Sequence, residues 1–270
     1  MLLCVATPAR AQAPASTPQK PEPFKITDNS FLVEEAFNQE AGVFQNIFGA
    51  MRTQGGWAST FTQEWPVVSQ THQLSYTVAF LNSDSQFGFG DTLINYRYQV
   101  SEEGAGRVAF SPRASLVLPT GSRDKGFGDG TLGIQVNLPF SKQENDWYFH
   151  WNGGLTWLPG AQGELEPDVR GRDHRERRAL VSPFVAGSAI YRLEPMLNLM
   201  LESVVSFDQT AVEGGTVRAK TVTLSPGFRG GWNIGDAQIV TGLALPVSWT
   251  DGIRETGAFV YLSYELPFKK

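Results

Sequence analysis

Between Trp147 and Trp157 every second side chain is apolar or small: Trp147, Phe149, Trp151, Gly153, Leu155 and Trp157, set against Tyr148, His150, Asn152, Gly154 and Thr156. Successive side chains of a strand point to opposite faces, so this segment has one greasy face and one mostly polar face. The same period of two recurs from Ala41 to Phe268 in about twelve segments of roughly ten residues, the length a tilted strand needs to cross a bilayer. Leu74, Tyr76 and Val78 oppose Gln73, Ser75 and Thr77; Ile94, Tyr96 and Tyr98 oppose Asn95 and Arg97; Leu132, Ile134 and Val136 oppose Gly133, Gln135 and Asn137. Later, Leu199 and Leu201 oppose Asn198 and Glu202, and Val260, Leu262 and Tyr264 oppose Ser263 and Glu265. Segments 44–52 and 57–65 carry the weakest pattern, because Phe44 and Phe48 fall on the face opposite Val43 and Ile47.

A soluble β-sandwich would also alternate, with its greasy faces turned inward and strands averaging nearer six residues. Long segments and tryptophans at the ends of a greasy face suit an outer-membrane barrel, which turns that face to lipid and keeps the polar face around its lumen. From Ser101 onward the connections alternate between short turns (101–105, 141–145, 194–195, 233–235) and mostly longer polar loops (120–126, 160–176, 208–215, 250–253). Short periplasmic turns and longer external loops are the outer-membrane arrangement, and with an even strand count both termini are periplasmic. The predicted fold is an all-β, transmembrane, up-and-down antiparallel β-barrel of about twelve strands with a short N-terminal periplasmic segment.

The 270 residues include 28 glycines and carry a formal net charge of −5, which suits one large all-β domain and disfavours a nucleic-acid partner. No apolar run approaches the roughly 20 residues of a spanning helix, so a membrane location requires a closed barrel. Residues 1–13 read as a truncated signal peptide with small-x-small cleavage options around Ala9 to Ala13. Residues 14–40 read as a Pro-rich linker followed by an N-terminal periplasmic segment, and 41–268 as the barrel. Cys4 is the only cysteine and lies in the signal, so neither a disulfide framework nor a thiolate metal site is available.

Gly88-Phe89-Gly90-Asp91 recurs as Gly126-Phe127-Gly128-Asp129, each time ahead of an alternating strand, and reads as a strand-opening turn capped by aspartate. These two motifs, the run from Ile26 through Asp28-Asn29-Ser30-Phe31-Leu32-Val33-Glu34-Glu35 to Glu40, and Ser111-Pro112-Arg113 leading to Leu118-Pro119-Thr120-Gly121 carry a resemblance. The chain resembles the outer-membrane transporters grouped as "meta-pathway of phenol degradation" proteins, from Ile26 to Phe268. The resemblance implies an outer-membrane barrel with a role in uptake of aromatic or other small hydrophobic compounds. The final strand, with Val260, Leu262, Tyr264 and Phe268, also resembles a signal for the barrel-assembly machinery.

With greasy faces toward lipid, the lumen receives Glu64, Arg97, Arg113, Gln135, Asn137, His150, Glu202, Arg229 and Glu265. Such groups either line a wet path or pair to brace a narrow interior, and about twelve strands favour bracing with a thin passage. The segment carrying Asp28, Asn29, Phe31, Glu34 and Glu35 reads equally as a short helix plugging or lidding the periplasmic mouth, with Asp28 or Asn29 as N-cap, and as a lead-in to the first strand. The 160–176 loop interleaves Arg170, Arg172, Arg175, Arg177 and Arg178 with five acids; it reads as solvated loop rather than a contact for lipopolysaccharide phosphates. With three histidines and no Gly-x-Ser-x-Gly elbow or metal-ligand spacing, no catalytic residue, metal or cofactor is assigned. The partners implied are outer-membrane lipid and lipopolysaccharide, the barrel-assembly machinery and a small-molecule solute. The function is passive uptake through a channel; a closed structural or surface-interaction barrel, or less readily a lipid-modifying enzyme, is the alternative.

Overall fold

The structure, a computed structural model, describes residues 25–268 other than 27, 29, 84 and 168–172, and the side chains of 164–167 and 173–175 also stand outside the description. The segments read as signal and linker, up to residue 24, and Asn29 therefore lie outside the described residues, as does the centre of the arginine-rich loop. The strand segments are β1 (Val43–Arg52), β2 (Gly56–Val67), β3 (Ser69–Ser83), β4 (Gln86–Phe89), β5 (Thr92–Tyr98), β6 (Ala109–Phe110), β7 (Arg113–Leu118) and β8 (Gly133–Glu144). They continue as β9 (Trp147–Pro167), β10 (Asp173–Glu194), β11 (Leu197–Val212), β12 (Gly215–Ile234), β13 (Ala237–Ala244), β14 (Val247–Thr250), β15 (Ile253–Thr256) and β16 (Ala258–Pro267).

Each segment pairs antiparallel with its neighbours, and β1 pairs with β16 from Val43↔Pro267 to Arg52↔Ala258, so the sheet closes. Four pairs of segments are single strands with a break: β4 with β5, β6 with β7, β13 with β14, and β15 with β16. The result is a closed barrel of twelve antiparallel strands. Pro112 and Pro246 sit in two of the breaks, where a residue without an N–H cannot complete the ladder. Neighbouring bonds carry the wall past them: Tyr98 N–H donates to Pro112 O (3.1 Å) and Gly257 N–H to Pro246 O (2.8 Å).

The faces are inverted relative to a soluble protein. Leu74, Ile94, Leu116, Trp147, Trp151, Trp157, Leu201 and Val260 are exposed, whereas Gln73, Asn95, Arg97, Asn137, His150, Glu202 and Arg229 are buried. Exposed apolar side chains all round the wall are what lipid requires, and a closed sheet is the strand arrangement that leaves no backbone group unpaired there. Segments 44–52 and 57–65 are strands despite their weak pattern: Phe48 is exposed while Ile47 packs inward with Met51 against Phe259 and Tyr261.

Three connections differ from the sequence reading. The 101–105 turn is part of a longer connection, residues 99–108, pinned by a Gln99 Nε2 bond to Ser101 O. The 160–176 and 208–215 loops are largely continuous ladder, since β9 runs 21 residues to Pro167, β10 runs 22 from Asp173, and β11 turns to β12 through residues 213–214. Backbone pairing needs no apolar face, so a hairpin of mixed charge continues as a ribbon beyond the greasy stretch. These hairpins project from the end of the barrel opposite the one where β1 begins at Val43 and β16 ends at Pro267.

The two Gly-Phe-Gly-Asp motifs meet in space. Asp91 Oδ1 accepts from Gly121 N–H (2.8 Å) and Oδ2 from Asp129 N–H (3.1 Å), so the first motif's aspartate caps the loop that carries the second. Gly128 makes room for that carboxylate; a Cβ there would lie 2.7 Å from Asp91 Oδ1.

Candidate functional site

The described residues between Ile26 and Gln39 run inside the barrel. Ile26, Asp28, Val33 and Ala36 are fully buried, and among the described residues of this stretch there is no helix, only bends and irregular chain. A helix satisfies its own amides, whereas here the lumen does so. Leu32 and Val33 N–H both donate to Glu202 Oε1 (2.8 and 3.1 Å), Glu34 N–H to Asn152 Oδ1 (2.8 Å) and Ala36 N–H to Ser141 Oγ (2.8 Å). Asn38 N–H reaches Gln99 Oε1 (3.1 Å) and Gln39 N–H reaches Gln73 Oε1 (2.6 Å). The carbonyls are served likewise: Arg229 Nη1 donates to Asp28 O (2.7 Å), Asn152 Nδ2 to Glu34 O (2.8 Å), Gln99 Nε2 to Ala36 O (2.8 Å) and Arg97 Nη1 to Phe37 O (2.6 Å).

The path is a loop. Lys25 O accepts from Gln238 Nε2 beside the β12–β13 turn, the tip at Phe31 to Glu34 reaches the middle strands, and the return leg joins β1, where Val43 faces Pro267. Both legs leave by the same end of the barrel. Phe31 anchors the tip, its ring centroid 5.5 Å from that of Phe259 and 5.1 Å from that of Tyr261. It fills a recess that Gly242 leaves open: a Cβ on Gly242 would stand 2.1 Å from Phe31 Cζ. Ser30 Oγ and Ser188 Oγ share a hydrogen bond of 2.8 Å, and Gln45 Nε2 and Ser263 Oγ both donate to the Asp28 carboxylate.

Glu34 is the electrostatic centre. Arg113 Nε lies 3.0 and 2.9 Å from its two oxygens, Asn137 Nδ2 donates at 2.6 Å, and Arg97 forms a close ion pair with it. Arg113 is itself held by Asn95 Oδ1 (3.0 Å), Gln135 Oε1 (3.0 Å) and Ser115 Oγ. Burial pushes the Glu34 carboxyl up, but the Arg113 and Arg97 charges and the Arg97 and Asn137 hydrogen bonds outweigh it and bring the pKa down to about 2. Its neighbour behaves oppositely, since burial and the Asp28 charge push Glu35 well above the usual carboxylate range.

All nine lumen candidates are found on the wall's inner side, and Arg97, Arg113, Gln135 and Asn137 converge around Glu34. Arg229 holds the outbound leg and Glu202 the tip. Glu64 accepts from Gln73 Nε2 (2.9 Å), and Glu265 borders a cavity of about 280 Å³ between the segment and the terminal end. His150 Nδ1 is 2.7 Å from Ser141 Oγ, the atom that accepts from Ala36 N–H. Beyond the tip lies a second cavity of about 260 Å³, bordered by Glu34, Arg97 and Arg113. Gln73, Gln99, Ser141, Asn152 and Ser188 serve the segment equally but stand outside the nine candidates: Gln73 and Asn152 are legible as polar-face positions, whereas Ser141, read as part of a turn, lies on β8.

Residues 23–229 match the family model described as "Putative MetA-pathway of phenol degradation". The chain belongs to that family. The match runs through β12, and β13 to β16 complete the barrel. Among solved structures this family member is similar to an outer membrane channel from Pseudomonas putida F1, with 12% identity and a TM-score of 0.61 over 85% of this chain and 97% of that one. Weaker likenesses are to the NanC porin (10%, TM-score 0.49, 83% and 100% covered) and to OmpT of Vibrio cholerae (11%, TM-score 0.40, 86% and 85% covered). What the Pseudomonas putida structure shares with the chain is the barrel fold. A comparison with curated proteins finds no match.

Proposed function

We propose that the chain is a passive outer-membrane channel for small solutes, aromatic or hydrophobic compounds among them, closed at rest by its own residues 25–42. The observation that carries this reading is how the segment is held. Among the described residues, the backbone from Ile26 to Gln39 is bonded by wall side chains and the first backbone bond to the wall is Phe268 N–H to Gly42 O (2.6 Å), where the ladder of β1 begins, so the segment can leave without opening the barrel. Side-chain bonds to backbone contribute about 0.5–1.5 kcal/mol each and are replaced by water on release. Because both legs leave by one end, withdrawal needs no threading. The channel function of the Pseudomonas putida protein with this fold and the family's link to phenol degradation support the reading.

In this account the terminal end faces the periplasm and the projecting β9–β10 and β11–β12 hairpins face outward, with Arg218 and Lys220 exposed toward lipopolysaccharide. The final strand, β16, is the one handed to the barrel-assembly machinery. A closed, structural barrel is the second reading, favoured by the paired charges around Glu34. Single-channel recording in planar bilayers separates them: replacing residues 28–40 by a Gly-Ser linker of equal length opens a steady conductance in a channel and none in a barrel that is blocked for another reason. Lipid hydrolysis is the third reading, prompted by the Ser141–His150 pair. Both residues are buried under Ala36, and hydrolysis that disappears in His150→Ala would establish it.

A further inference from the structure

The Glu34 carboxylate sits in a receptor built entirely by the wall. Arg97 from β5, Arg113 from β7 and Asn137 from β8 supply donors to its two oxygens, and none of the three comes from the segment that carries Glu34. Arg113 is fixed by Asn95, Ser115 and Gln135, which belong to the wall too, so its Nε keeps its aim when Glu34 leaves. The cavity of about 260 Å³ opens onto this receptor from the side away from the termini. Its remaining borders mix hydroxyls, such as Thr60 and Thr77, with apolar groups, such as Leu93 and Ile47.

Resting on the channel reading, we infer that Glu34 is an internal stand-in for the carboxylate of a small organic acid, and that Arg97, Arg113 and Asn137 are the binding site of that acid. A solute arriving from the far mouth places its carboxylate against the two guanidiniums and its body in the cavity. It thereby competes with Glu34, so binding and release of the segment are one equilibrium: the acid shifts the population by its preference for the vacated receptor. Glu64 borders the same cavity, so with Glu34 withdrawn the site holds two positive charges against one negative, which admits a monoanion and disfavours a dianion.

The test uses the full chain in detergent at pH 7.5 with sodium benzoate, benzamide as its uncharged isostere, and sodium chloride as salt control. Calorimetry should show Glu34→Gln binding benzoate at least about tenfold more tightly than the unaltered protein, with benzamide indifferent and Arg113→Gln in the Glu34→Gln background abolishing the gain. In the unaltered protein, saturating benzoate should speed amide exchange at residues 32–39 while benzamide and salt leave it unchanged. Equal affinities in the two proteins, equal binding of benzamide, or exchange unmoved by benzoate would overturn the assignment. Conductance distinguishes the two failures: a linker variant that conducts while benzoate fails these tests leaves the channel and removes the acid site, whereas one that never conducts removes the channel itself.

Discussion

Arg113 reaches across 79 positions of sequence to place Nε 2.9 Å from Glu34 Oε2, tying the tip of the N-terminal segment to the barrel wall. Removing one partner of a buried ion pair costs about 3–5 kcal/mol. Both side chains keep some exposure, 13% and 17%, so the lower end applies. Arg113→Ala should therefore raise the released fraction roughly a hundredfold, at about 1.4 kcal/mol per tenfold. Amide exchange at residues 32–39 should accelerate by that factor while exchange in β9 and β10 stays slow; equal protection in the variant would contradict the pairing's role.

Gly242 and Phe31 make a second, purely steric prediction. Gly242→Ala puts a methyl where the Phe31 ring now sits, so the tip must shift and resting conductance should rise. Adding Phe31→Ala vacates the recess and should remove the clash, so Gly242→Ala in that background should change conductance far less than it does alone. Independent effects of the two changes would show that the recess does not locate the tip.

Glu34 and Glu35 set opposite pH dependences. A carboxyl brought down to about 2 stabilises the docked state fully above its ordinary value of 4.5, and that stability is lost as pH falls from 4.5 toward 2. A carboxyl raised by burial stabilises docking below 4.5 and loses that contribution as pH rises through its raised value. Asp28 and Glu64 reinforce the upward push on Glu35, while Arg97 and Arg229 oppose it. Opening recorded in bilayers should be unchanged by Glu34 between pH 7 and 5, and should increase on the alkaline side. Glu35→Gln should abolish the alkaline increase; an increase of the same size in the variant would assign it elsewhere.

Much of the wall was legible because lipid imposes a rule on single residues. Leu201 and Glu202 must point opposite ways, and the alternation around them shows it. The lumen charges followed by subtraction. The grip on the segment was not legible: an amide N–H has no identity in the sequence, so nothing marks Asn152 as the partner of Glu34 N–H or Ser141 as that of Ala36 N–H. Of the two equal readings of Asp28 to Glu40, the helix is not seen among the described residues for the same reason, since wall side chains supply the bonds a helix would have made internally. The length of β9 and β10 was hidden because ladder outside the bilayer needs no alternation, and the meeting of Asp91 with Asp129 because the two motifs lie on separate strands.

The lipid-facing assignment predicts its own penalty. Leu201 is 53% exposed in the apolar band, and an arginine there costs about 2–4 kcal/mol near the bilayer midplane and less toward either interface. Leu201→Arg should lose stability of that order in reversible unfolding from vesicles, whereas Val217→Arg on the projecting β12 should lose little. Equal, small losses at both sites would place Leu201 in water.

In the proposed channel the N-terminal segment moves as the pore opens. Ser30 and Ser188 offer the direct test, because their hydroxyl oxygens are 2.8 Å apart, one on the segment and one on β10. In a Cys4→Ser background, Ser30→Cys with Ser188→Cys should form a disulfide that fastens the tip to the wall. Conductance in a planar bilayer should be absent while the bond is oxidised and should appear on adding reductant to the terminal side. Identical conductance in the oxidised and reduced states would contradict the account.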